Sequence, residues 1–177
     1  MRGCKIHFKE IKELNNCEDV KILYEESFPP EEKVNFYDFF SGVFSNFQLY
    51  ALYKAKALVG IFHFKDAKNF VHLNYLAVKS KYQNQGFGSK IISWLKKEFK
   101  NKSIVVDIEE LDNSAANFEN RIRRKRFYKK NGFVDGKHTF DWEGTFMTYM
   151  HYGPIDDEEF MNYIQKVFPT IKNIREK

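Results

Sequence analysis

The chain is poor in the residue types that staple, break or loosen a fold: two cysteines, four prolines and nine glycines among 177 residues. Cys4 and Cys17 lie near the N-terminus without the spacing of a metal site or a redox pair. A disulfide framework is therefore excluded, and reduced thiols fit a cytoplasmic protein. So few glycines and prolines exclude a collagen-like or low-complexity chain. No run of about 18 apolar residues occurs, which excludes a transmembrane helix. The first fifteen residues mix charged and apolar side chains and lack the apolar core of a signal peptide. Aromatics, by contrast, abound: nineteen Phe, ten Tyr and two Trp. Such a chain folds, and its length suits a single domain over residues 1–177 that buries its own core.

The formal net charge is +5, and its source is local. Residues 121–130 hold seven basic side chains and no acidic one, and the rest of the chain is slightly acidic. This segment is either a polyanion footprint or one special helix. Arg121, Arg123, Arg124, Lys125 and Arg126 wrap most of a helix, one face of which must be buried. Neither a groove-reading fold nor an aromatic stacking platform accompanies them, so nucleic-acid binding stands as the rival reading.

Hydrophobic periodicity predicts strands over Lys5–Lys9, Gln48–Lys54, Ala57–Lys65, Phe70–Val78 and Ile104–Ile108, with two more around Phe133–Asp141 and Thr145–Tyr152. Helices are expected over Glu18–Phe28, from near Glu31, and over Gly86–Lys100. Two more are expected over Ser114–Asn131 and about Asp156–Val167. The order is that of a mixed α/β chain without repeats or linkers.

Two segments carry chemistry. Leu76-Ala77-Val78 ends a strand, a polar loop follows, and Gly86-Phe87-Gly88 opens an amphipathic helix. That arrangement aims backbone N–H groups at a phosphate, where the helix dipole also favours an anion. The pattern is Gln83-Asn84-Gln85-Gly86-Phe87-Gly88, which is neither a P-loop nor the dinucleotide fingerprint. The second segment is Phe127-Tyr128-Lys129-Lys130-Asn131-Gly132-Phe133, ending the long helix. At 100° per residue, Asn117, Arg121 and Tyr128 fall on one stripe. A Tyr there serves either as a proton donor or as a core residue with a satisfied hydroxyl.

Together the two segments resemble the GNAT N-acetyltransferase superfamily over about 80 residues. The resemblance implies a mixed α/β fold with a mostly antiparallel central sheet of about seven strands, helices on both faces, and a splay at the fourth and fifth strands. It implies direct transfer of an acetyl group from acetyl-CoA, a cosubstrate, to the amine of a small molecule or peptide. The amides of Gln83, Asn84, Gln85, Gly86, Phe87, Gly88 and Ser89 would hold the pyrophosphate. A backbone N–H near Leu76, Ala77 and Val78 would polarise the thioester carbonyl. Tyr128 would protonate the departing sulfur, an apt task for a phenol of ordinary pKa ~10. His72, sharing a strand face with Asn74, Leu76 and Val78, would take the amine proton, with Glu109, Glu110 or a water as rivals. No metal is implied.

The chain also departs from the family pattern. An Asn seven residues before the Tyr and a small residue four before it are usual; here Arg121 and Arg124 occupy those places. The CoA contact would pass to Asn117 or to Arg121. Gln83 stands where Arg is common, which removes one phosphate charge. The acceptor wall would include Ser27–Glu32, where Glu31 and Glu32 either draw a cationic amine or merely open a helix. Asp156–Glu159 reads first as helix-opening charge. Neither nucleic acid nor membrane is expected as a partner, and a homodimer is left open. The alternative is a CoA-binding or basic-helix module without catalysis, against which Tyr128 argues.

Overall fold

The computed structural model describes residues 5–28, 30, 33–41 and 47–177. Expectations placed on Cys4, Pro29, Glu31 and Glu32, including the start of a second helix near Glu31, lie outside the described residues. The chain divides into two compact units, one reaching to Lys68 and resuming over His72–Glu98, the other made of Asn69–Val71 and Phe99–Lys177.

The first unit contains β1 (Ile6–Glu10), α1 (Glu18–Ser27), α2 (Asp38–Ser41), β2 (Phe47–Lys54), β3 (Ala57–Asp66), most of β4 (Phe70–Val78) and α3 (Phe87–Glu98). The strands run β1-β2-β3-β4. β1 pairs antiparallel with β2, and β2 with β3, the latter pair setting Leu49 against His63 and Ala51 against Ile61. Alternation along β2 and β3 gives this sheet two apolar faces, as the period of a strand requires. Leu49, Ala51 and Ile61 pack with Val20, Leu23, Tyr24, Phe36 and Phe39 from α1 and the α2 region. Tyr50, Phe62 and Phe64 face Trp94 of α3, at ring separations of 5.0, 5.3 and 6.4 Å. Helices thus cover both faces, and α3 buries Phe87, Ile91, Ile92 and Leu95 at the expected helical spacing.

The second unit contains β5 (Ser103–Glu109), α4 (Phe118–Lys130), β6 (Val134–Trp142), β7 (Thr145–Tyr152), α5 (Asp157–Val167) and β8 (Ile171–Glu176). Its strands run β5-β7-β6-β8 and pair antiparallel. The β6–β7 hairpin turns at Glu143 and Gly144, both with positive φ, the geometry that matches strand twist. Asp156 caps α5 by accepting from the Glu159 N–H at 3.0 Å. Phe160 of α5 sits 4.7 Å from Tyr149 and 5.5 Å from Phe70.

The mixed, mostly antiparallel α/β class is as expected, but three details differ. Eight strands are present among the described residues, not about seven. The addition is β8, where Ile171 alone is buried and Lys172, Asn173, Arg175 and Glu176 are exposed, so no apolar alternation marks this polar edge strand. α2 is a four-residue turn of helix. The long helix starts at Phe118 rather than near Ser114. Asp112 accepts from both the Ser114 N–H and its hydroxyl, and the Ala115 N–H turns back to the Asp112 carbonyl at 3.1 Å. Short polar side chains there hold a turn in place of the first helical residues.

Candidate active site

In the first unit, β4 leads into the expected phosphate loop. The Lys79 N–H donates to the Val59 carbonyl at 2.8 Å, tying the strand end to β3. Gly60 permits this approach: a Cβ there would lie 2.6 Å from the Ala77 carbonyl oxygen. Ala77 is buried while Leu76 and Val78 are half-buried. Residues 80–82 form one 3-10 turn, and residues 83–86 are exposed. The Gln83 side chain donates to the Val78 carbonyl at 3.0 Å and that of Gln85 to the Lys81 carbonyl at 2.8 Å. These two glutamines brace the loop from within, and the Gln83 N–H is also spent there, donating to the Ser80 carbonyl at 3.1 Å.

Asn84 and Gly86 adopt positive φ, 59° and 81°, and reverse the chain into α3. A Cβ on Gly86 would meet nothing within 4 Å, so this glycine is required by backbone conformation and faces open space. The first N–H groups of α3 have no partner inside the helix. Phe87, Gly88 and Ser89 carry them. Residues 79–97 include five lysines and no acidic residue, so the loop is positive as well as rich in donors.

In the second unit, Tyr128 is 5% exposed, between Phe127 at 5.1 Å and Phe133 at 5.3 Å. Burial pushes its phenol up to about 12, against the pull of the Arg124 charge, with Asp107 adding to the rise. Arg121, seven residues before Tyr128 within α4, shares its helical stripe, whereas Asn117 is the residue before the helix. Both are spent within the unit. Asn117 donates to Glu109 at 3.0 Å and accepts from Arg121 at 2.7 Å. Arg121 also donates to the Glu110 carbonyl at 2.8 Å and lies 3.9 Å from the Glu109 carboxylate. Arg124 donates to the other Glu109 oxygen. Glu109, expected as a rival base, is thus a buried anion held by two arginines and an amide.

The same pairing explains most of the basic helix. Lys125 and Lys129 both reach Asp135, at 2.7 and 3.0 Å. Four of the seven cations of residues 121–130 therefore answer to Glu109 or Asp135, and Arg123, Arg126 and Lys130 remain exposed. Two carboxylates thus fix the placing of four of these cations while the segment as a whole stays positive.

His72 is fully buried, with its Nδ1 3.4 Å from the Asn74 side-chain nitrogen. His63, which the sequence reading passed over, is 3% exposed, and neither ring nitrogen has a hydrogen-bond partner among the described residues. It stacks on Phe47 at 5.0 Å beside Phe39 and Tyr75. Burial, reinforced by His72, pushes it down to about 3, so it is neutral at physiological pH. A histidine inside the apolar run of β3 was its signal. Among the described residues no group of three or more His, Cys, Asp or Glu could hold a metal ion, and no helix is long and apolar enough to cross a membrane.

Residues 45–135 match the family model described as an acetyltransferase (GNAT) domain. A Bacillus subtilis (strain 168) protein named "Putative acetyltransferase YjbC" is 36% identical over 73 residues. That segment is 41% of this chain and 35% of YjbC, so the chain spans about a third of that relative's length. A solved GNAT-family structure from Bacteroides thetaiotaomicron superposes with a TM-score of 0.69 at 21% identity, covering 93% of this chain and 98% of the other. Arabidopsis thaliana Naa50, solved with the bisubstrate analogue CoA-Ac-MVNAL, gives 0.62 at 18% identity, covering 84% and 99%. At such identities these two likenesses concern the fold.

Proposed function

Because the chain belongs to the GNAT acetyltransferase domain family, we propose that it binds acetyl-CoA and transfers the acetyl group to the amine of a small molecule or peptide, acting as a single cytoplasmic domain. The observation that carries this is the exposed, brace-held loop with positive φ at Asn84 and Gly86, opening α3 amides in a segment free of acidic residues.

In the proposed reaction the amine nitrogen attacks the thioester carbonyl carbon. An N–C bond forms, the C–S bond breaks, and its electron pair leaves on sulfur. The nitrogen loses one proton. His72 is enclosed and Glu109 is committed to cations, so half-buried Glu110 or a water is the acceptor this reading favours. Loop amides of residues 84–89 hold the pyrophosphate, the Gln83 N–H being spent on the Ser80 carbonyl, and a backbone N–H near residues 76–78 polarises the carbonyl. Tyr128 is the donor to sulfur. With burial pushing its phenol up to about 12, well above a thiol's ordinary value near ~8.5, complete proton transfer to sulfur is uphill. Tyr128 therefore serves as a hydrogen-bond donor to the developing thiolate, and solvent completes the protonation.

Titration calorimetry with acetyl-CoA tests the cofactor half of this reading. Saturable binding at micromolar to millimolar ligand is expected; its absence would sink the proposal. Gly86→Val, which forces a β-branched residue into a left-handed conformation costing about 1–2 kcal/mol, should weaken that binding roughly tenfold. An unchanged affinity would remove the loop from the site.

A further inference from the structure

Arg124 stands where the family resemblance leads one to expect a small residue, one helical turn before Tyr128. Side chains at i and i+4 share a face of a helix, so a large cation has been placed beside the phenol. Its position is fixed by Glu109, to which it donates, and Glu109 is itself 6% exposed. The carboxylate is anchored in turn by Asn117 and flanked by Arg121, so the anchor does not move with Arg124. Arg124 nonetheless keeps 42% of its side chain exposed. The side chain is thus pinned at one end and open to solvent along the rest.

We propose that Arg124 is a positioning residue for acetyl transfer, pinned by Glu109 so that a fixed positive charge stands beside the Tyr128 hydroxyl where the CoA sulfur takes up negative charge. This rests on the acetyltransferase reading above. Burial keeps the Tyr128 phenol a weak acid, so negative charge develops on the departing sulfur. A preorganised cation beside it stabilises that charge without further reorganisation. The charges acting on the phenol are two: Arg124 draws it down, and Asp107 on β5 opposes it. Burial is the largest influence and the phenol stays above its ordinary value, so Arg124 moderates the rise without cancelling it.

The test uses the binary complex of the full chain with CoA and reads ionisation of the bound thiol from thiolate absorbance as pH is varied. In the wild type the bound thiol should ionise at lower pH than free CoA. Arg124→Met should cut the thiolate fraction roughly tenfold at a given pH and lower kcat about tenfold, with KM for acetyl-CoA held within about twofold. Arg124→Lys, which keeps the charge but not the fork, should restore much of the ionisation. Identical thiol ionisation in wild type and Arg124→Met would overturn the proposal while leaving the acetyltransferase reading intact. Absence of CoA binding by the wild type would overturn both. A variant that also loses thermal stability still reports, because ionisation is compared within the folded, CoA-bound protein and Arg124→Lys supplies a second folded case.

Discussion

Tyr128→Phe should lower kcat for acetyl transfer by about 10²–10³-fold, the scale set by removing one preorganised donor from a developing anion. Acetyl-CoA affinity should stay within about twofold, because the ring, packed against Phe127 and Phe133, is retained. The pH dependence follows from burial. With the phenol pushed up to about 12, Tyr128 is protonated throughout the working range. Between pH 6 and about 10, then, activity should show no falling limb from tyrosine ionisation. Steady-state kinetics of both proteins across that range check the two statements together. Turnover unchanged by the substitution would remove Tyr128 from the reaction.

The largest structural effect is expected at Gly136, on β6. A Cβ there would overlap the ring of Tyr149 on the neighbouring strand. That ring has no room to yield. It is fully buried, lies 4.7 Å from Phe160, donates its hydroxyl to Asp157 and accepts the Lys137 N–H at 3.3 Å. Gly136→Val should therefore cost about 3 kcal/mol, the upper end for overpacking, since moving the ring also breaks a bond to a charged group. A chain of this size would melt roughly 10 °C lower. Denaturant titration of Gly136→Val, Tyr149→Leu and the double variant separates the causes. If the ring is responsible, Tyr149→Leu relieves most of the valine's cost; a cost that persists would place the strain elsewhere.

The fold was readable wherever side-chain period met burial on one face. β2, β3 and α3 could be drawn because each turns an apolar set toward a defined partner, as Trp94 does toward Tyr50 and Phe62. β8 was invisible because a polar edge strand owes its place to backbone pairing with β6, which leaves no mark in side-chain pattern. The start of α4 was misjudged for a related reason: Asp112 and Ser114 settle a local competition between turn and helix through hydrogen bonds that helical periodicity does not register.

The candidate site divides in the same way. The Gly86 turn and the position of Tyr128 are local and were legible. What Asn117, Arg121 and Arg124 do depends on Glu109, eight to fifteen residues away, and it was the family resemblance, followed along one helical stripe, that assigned two of them to the cofactor. His63 was missed because its environment is built by Phe39, Phe47 and Tyr75 from other elements. The positive charge of the chain illustrates both lessons. A run of cations is plain in sequence, while the two acids that four of them reach are plain only in the fold.

The central claim, that this chain moves an acetyl group from acetyl-CoA to an amine, is tested most directly by measuring free thiol released from acetyl-CoA across a panel of small-molecule and peptide amines, with the product's mass read in parallel. The account predicts thiol release that saturates in one or more amines, matched mole for mole by product heavier by one acetyl group, and slowed about 10²–10³-fold in Tyr128→Phe. Saturable binding of acetyl-CoA with no amine-dependent thiol release across the panel would contradict it and leave a protein that binds the cofactor without catalysis.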